Sequence, residues 1–182
     1  MLVAFGLVQL IDAPTQKAAL RKLASLAQNG MLHPVVRETA FLIIGECDAR
    51  DDECELEAIF NAVKHGDPRV AALKKGFKYI ADPRSTDYFT APHRALQACL
   101  RGACGGDCDD HTALICALAG AIGFKVGLRA WGEYGEDFSH VYAVALLSKR
   151  NPTKVVGLDT TVAESYVGWE PPKGRVMTAL LE

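Results

Sequence analysis

At Gly123 the spacing of apolar residues switches from that of a helix to that of a strand, and no other feature constrains the fold as much. Upstream, Leu20, Leu23 and Ala27 recur with a helical period. So do Val36, Ala40 and Ile43, and then Leu56, Ile59, Phe60 and Val63. Downstream, residues 125–131, 139–147 and 154–160 alternate with a period of two, and the turn residues Ser148 to Thr153 separate the last two runs. Helices followed by a run of hairpin-linked strands make an α+β chain.

Punctuation sets the boundaries. Pro14 or Thr15 opens a first helix and Asn29-Gly30 closes it. A second helix starts near His33-Pro34, and a third is capped by Asp51-Asp52 and ends at His65-Gly66. Asp67-Pro68 starts a further helical piece, and Pro92 opens a short helix reaching Leu100. The apolar start, Met1 to Val8, reads as a strand or buried segment. It lacks the basic region and cleavage site of a signal peptide and is too short to span a bilayer. Pro171 to Glu182 reads as a poorly ordered tail. The chain is expected to be one domain, 1–182, with a mainly helical part (1–66), a core (67–170) and the tail (171–182).

Just before the switch lies Gly105-Gly106-Asp107-Cys108-Asp109-Asp110-His111, running into the apolar helix of Leu114, Ile115 and Leu118. The pattern predicts a loop that turns into a helix with Cys108 in its first turn. Unpaired N–H groups and the positive end of the helix dipole favour a thiolate there. The two glycines would let backbone N–H groups approach a substrate carbonyl. Against this, Asp107, Asp109 and Asp110 crowd negative charge around the sulfur, which raises a thiol. The stripe Ala113, Cys116, Ala117 and Gly120 predicts a close-packed neighbour for this helix.

The totals exclude several classes. Apolar residues make up 49% of 182, enough for a real core. The net charge is −2, with no basic cluster, which argues against a nucleic-acid partner. A chain this long and apolar does not need staples, so most of its six cysteines are expected as free thiols in a reducing, cytoplasmic or virion-associated setting. Cys47 and Cys54 would pair if the chain is secreted. The acids from Asp48 to Glu57 lack the glycine and closing glutamate of a calcium loop and read as a solvated helix start.

His140 opens the second strand and Asp159 closes the third, about equally far from the Asn151-Pro152 turn, so a hairpin register pairing the two is natural. An imidazole between a thiol and a carboxylate is triad logic: the base activates the nucleophile and the acid orients the base. These segments resemble the transglutaminase-like superfamily of papain-fold cysteine enzymes, from about Phe60 to Thr161. The matching stretches are Tyr79-Ile80-Ala81-Asp82-Pro83, Ala91-Pro92-His93-Arg94-Ala95-Leu96, Gly106-Asp107-Cys108-Asp109-Asp110, Phe138-Ser139-His140-Val141-Tyr142 and Gly157-Leu158-Asp159-Thr160-Thr161.

The resemblance implies a papain-like core with an N-terminal helical extension. It implies Cys108 as nucleophile, His140 as general base and then acid, and Asp159 as orienter of the imidazole. Attack on an amide carbonyl of a protein or peptide would give a thioester, released by water or by an amine, without a cofactor or metal. The backbone N–H of Cys108 would supply half of an oxyanion hole, with Tyr79 and Gln97 as candidates for the other half. The compact form fits bacterial and phage members, and with them a viral tail or morphogenesis setting with structural partners.

Two other classes compete. Cys104, Cys108, His111 and Cys116 can be drawn as zinc ligands, although their spacing lacks the paired-cysteine knuckles of such sites. A papain-like module can also keep its peptide groove and lose its chemistry. Trp131 and Trp169 could line a groove, but packing for area is the commoner role of such residues.

Overall fold

The computed structural model describes residues 14–82, 89–152 and 154–181. Helix α1 (Pro14–Leu32) is followed by α2 (Pro34–Ile43), a 3-10 turn (Ile44–Glu46), α3 (Asp52–Lys64) and a second 3-10 turn (Ala71–Leu73). Then come β1 (Lys78–Tyr79), α4 (Pro92–Leu100), β2 (Gly105–Gly106), α5 (Cys108–Ala121), β3 (Val126–Gly132), β4 (His140–Leu147), β5 (Lys154–Leu158) and β6 (Arg175–Leu180). The α+β order expected from the change of period is present, with strands after Gly123 in an antiparallel sheet ordered β5-β4-β3-β6. The expected strand or buried segment at 1–8 and most of the loop before Thr90 lie outside the described residues.

Helix α5 is the axle of the fold. Every residue from Asp110 to Ala119 is buried, as befits a helix apolar all round. Helix α1 packs along one side of it and the β3–β4 face along the other. The small-residue stripe explains how closely α1 approaches. A Cβ on Gly30 would meet Ala117 Cβ and Pro92 Cγ at 2.8 Å, and one on Gly120 would meet Met31 Sδ at 2.6 Å. Gly30 therefore lies inside α1, which runs on to Leu32, and does not close the helix as its place after Asn29 suggested. A glycine in mid-helix weakens it by about 1 kcal/mol. Here the close approach to α5 requires one.

The remaining boundaries follow the local chemistry. Asp51 caps α3 by accepting from the Cys54 N–H at 3.0 Å. Gly66, just past the end of α3, takes φ 99° and so turns the chain without side-chain strain. The piece after Asp67 is shorter than the helix its sequence suggested. Asp67 instead binds Arg69, whose guanidinium also reaches the Ile43 carbonyl at 3.2 Å.

Three expectations are corrected. The tail is not loose: Arg175–Leu180 forms β6 and pairs with β3 from Gly127↔Leu180 to Gly132↔Arg175. The acids at the start of α3 are not all solvated. Glu55 is buried and pairs with Lys149, while the Asp52 carboxylate accepts from the Lys149 N–H at 2.8 Å, tying α3 to the β4–β5 turn. Nor are the thiols mostly free. Cys47 bonds to Cys54 and Cys99 to Cys104, leaving Cys108 and Cys116 as the free cysteines among the described residues. Both bridges close loops near helix ends, where chain direction, not cysteine count, brings the sulfurs together.

Candidate active site

Cys108 is the first residue of α5. The Asp107 carboxylate caps the helix, accepting from the N–H groups of Asp109 (3.0 Å) and Asp110 (3.3 Å). Asp107 thus answers the helix end with its own charge, so the positive end of the dipole is not kept for the sulfur alone. The glycines before it serve packing. A Cβ on Gly105 would strike the Lys78 carbonyl at 2.5 Å across the parallel β1–β2 ladder, and one on Gly106 would strike Asp110 Oδ2 at 2.2 Å. Asp110 is buried and accepts from the Thr90 N–H at 2.7 Å, fastening the segment before α4 to α5.

His140 starts β4 and Asp159 follows the last residue of β5. His140 Nε2 lies 2.7 Å from Asp159 Oδ2. The hairpin register opposes Ala143 with Leu158. Carried to the hairpin's open end, it sets Tyr142, not His140, across from Asp159. The expected direct pairing is therefore a diagonal one, which long side chains on the same face can span. The Asp159 carboxylate also accepts from the Thr161 N–H (3.0 Å) and hydroxyl (2.6 Å). Burial works to raise this carboxyl, but the hydrogen bonds from His140 and Thr161 outweigh it and hold it below the usual range. Tyr142 stacks beside the imidazole with ring centroids 5.8 Å apart, its hydroxyl donating to Glu170 at 2.5 Å. Glu170 in turn pairs with Arg129.

Cys108 and His140 line one cleft of ≈ 310 Å³. Nε2 is the imidazole nitrogen engaged by Asp159. Asp107 and Asp109 stand at the rim, and Leu20, Leu23 and Phe138 supply apolar wall. Burial first, and then the Asp109 carboxylate, push the Cys108 thiol up to about 12, against the helping N–H groups of Val141 and Asp109. The helix-dipole expectation is corrected accordingly: at rest the sulfur carries its proton.

Sequence reasoning missed Gln16. It lies on α1, lines the cleft, and donates from Nε2 to the Phe138 carbonyl at 3.1 Å. Nothing marks a glutamine on an amphipathic helix from a region outside the recognised motifs. Of the two residues considered for the oxyanion, Gln97 sits on α4 and is absent from the cleft lining. Tyr79 lies beside the nucleophile loop. Its phenol is raised first by burial and then by Cys108 and Asp107.

Trp131 lies near the end of the interior strand β3, its indole N–H donating to the Pro172 carbonyl at 3.0 Å. The zinc set drawn from the sequence is dissolved, since Cys104 is bonded to Cys99. Among the described residues no three His, Cys, Asp or Glu side chains gather in a way that could hold a metal. The chain matches no family model, no curated protein and no solved structure.

Proposed function

We propose that this chain is a cysteine-dependent acyl-transfer enzyme, cleaving or exchanging amide bonds of a protein or peptide through a thioester on Cys108. The observation that carries the reading is the 2.7 Å bond between His140 and Asp159, beside Cys108 in one cleft. The likeness of these three segments to transglutaminase-like, papain-fold enzymes supports it, as does a nucleophile helix packed on an antiparallel sheet.

Because the resting sulfur is protonated, attack is base-assisted. The Sγ–H proton passes to His140 as the S–C bond forms and the carbonyl oxygen takes the electron pair. Asp159, ionised and fixed by Thr161, stabilises the imidazolium. Collapse breaks the C–N bond, and the leaving amine takes the proton from His140. Water or an amine then attacks the thioester carbonyl and gives its proton to His140; collapse breaks the S–C bond, the acyl product leaves, and the departing sulfur takes the proton back from His140. The backbone N–H of Cys108, which the Asp107 cap does not use, is the first oxyanion donor. Gln16, with its carboxamide held by Phe138 in the same cleft, is the second.

One observation favours a second reading. A thiol pushed up to about 12 suits a peptide-binding module that has lost its chemistry. Incubation of the full chain with a panel of acyl amides, followed by intact-mass detection, separates the two. The enzyme accumulates an acyl adduct that maps to Cys108 and is absent from Cys108→Ala. A module binds without an adduct.

A further inference from the structure

Helix α5 carries more than the sulfur. His111 and Thr112 stand one turn on from Cys108, each 2% exposed. His111 Nδ1 lies 2.8 Å from the Thr160 hydroxyl, and Thr160 is the residue after Asp159. The Thr112 hydroxyl lies 3.1 Å from the Val141 carbonyl, and Val141 is the residue after His140. Consecutive residues of the nucleophile helix therefore each grip the neighbour of one of the other two members of the site.

These grips add to what the sheet supplies. The β4–β5 ladder runs from Ala143↔Leu158 to Leu147↔Lys154, so Asp159 and Thr160 lie beyond its last pair, and His140 and Val141 are paired on the β3 side, with Trp131 and Ala130. The segment after β5 is tied mainly to itself and to α3. Thr161 bonds Asp159, the Ser165 hydroxyl donates to the Asp159 carbonyl at 2.5 Å, and Lys64 reaches Ser165 at 2.7 Å. The His111–Thr160 bond is the tie from this segment to the helix that bears Cys108. His111 is itself wedged in place, edge-on to Phe77 with ring centroids 4.9 Å apart. On the other side, Thr112 shares its hydroxyl between the Cys108 carbonyl (2.7 Å) and that of Val141. One residue of β4 is thus held to α5 through its carbonyl.

We propose that His111 and Thr112 are positioning residues, which set the His140–Asp159 pair at working distance from Cys108 Sγ by fixing the two strand ends to the nucleophile helix. The proposal rests on the catalytic reading of Cys108. Proton transfer depends steeply on the separation and direction of donor and acceptor. A displacement on the order of 1 Å lowers a rate by roughly a hundredfold, whereas a buried hydroxyl that serves stability alone leaves rates untouched when it is lost.

The test is the rate of alkylation of Cys108 by iodoacetamide across pH, with the melting temperature measured on the same samples. Thr160→Val and Thr112→Val remove a hydroxyl without changing shape, while Thr160→Ser and Thr112→Ser retain it. We expect each valine variant to slow alkylation roughly tenfold or more and to move its pH profile toward that of His140→Ala. Each serine variant is expected to return close to wild type. Valine variants that match wild type in rate and profile while losing only melting temperature would overturn the positioning role and leave the triad standing. If His140→Ala leaves the wild-type rate unchanged, the catalytic reading falls and takes this proposal with it.

Discussion

Two buried groups next to each other on α5 titrate in opposite senses. Burial, with help from Asp107 and Asp82, raises Asp110 to about 6 against the hydrogen bonds from Thr90. The native state then holds a proton that the unfolded chain has released. Asp110 therefore contributes stability at low pH that is lost as pH rises from about 4 through about 6. Burial lowers His111 to about 4, against the Lys78 backbone and Asp159. The native state resists a proton that the unfolded chain accepts, so this contribution is present above about 6.5 and is lost as pH falls toward 4. The two slopes oppose each other in one window. Urea unfolding between pH 4 and 6.5 is expected to give a shallow profile for wild type. Asp110→Asn should unmask a fall in stability toward acid, and His111→Gln a rise. Matching slopes in the two variants would contradict the assignments.

At this scale the sequence was legible where a residue sits at a change of element. Cys108 follows glycines at a helix start, and His140 and Asp159 bracket a hairpin. The diagonal offset does not show in the sequence, because the β4–β5 ladder centres between Arg150 and Asn151, which sets Tyr142 rather than His140 opposite Asp159. The thiol was misread because burial does not show in a sequence, and it outweighs the dipole that does.

Among elements, the two disulfides are what composition hid. Six cysteines in an apolar chain suggested thiols, yet Cys99 at the end of α4 and Cys104 before β2 are five residues apart, and the intervening turn folds them together. That bridge fixes the approach to the start of α5, since β2 leads directly into Asp107 and Cys108. Titration of the folded chain with a thiol reagent after denaturation, without reductant, is expected to find the sulfurs of Cys108 and Cys116 and no others. Replacing Cys99 and Cys104 with serine should lower stability by about 2 kcal/mol for so short a loop. Six titrating thiols would contradict both bridges. The helix starts at Pro34, Asp52 and Pro92 were plain in the sequence, because prolines and aspartates mark them, whereas Asp67-Pro68 leads only to the 3-10 turn Ala71–Leu73. The end of α1 was not plain, because Gly30 answers a contact with Ala117 on a helix distant in sequence.

Across the whole molecule, the helical part and the core are one body. A single cluster of buried residues runs from Leu20 in α1 through Leu56, Leu114 and Leu128 to Ala179 in β6. The first helices are therefore not an extension outside the core. Gln16, Ala19, Leu20 and Leu23 of α1 form one wall of the cleft that holds Cys108 and His140. The segments around Cys108, His140 and Asp159 do not point to them, because they meet the site only through the packing of α1 on α5.

The most direct test of the account is competitive alkylation at neutral pH, with the two free thiols resolved by peptide mass. Cys116 is sealed in the core against the Gly127 carbonyl, while Cys108 opens to the cleft beside His140. We expect Cys108 to be labelled first, and His140→Ala to slow that labelling roughly a hundredfold, the lower end of what general-base assistance contributes. Labelling of Cys108 at the same rate with and without the imidazole would contradict the account.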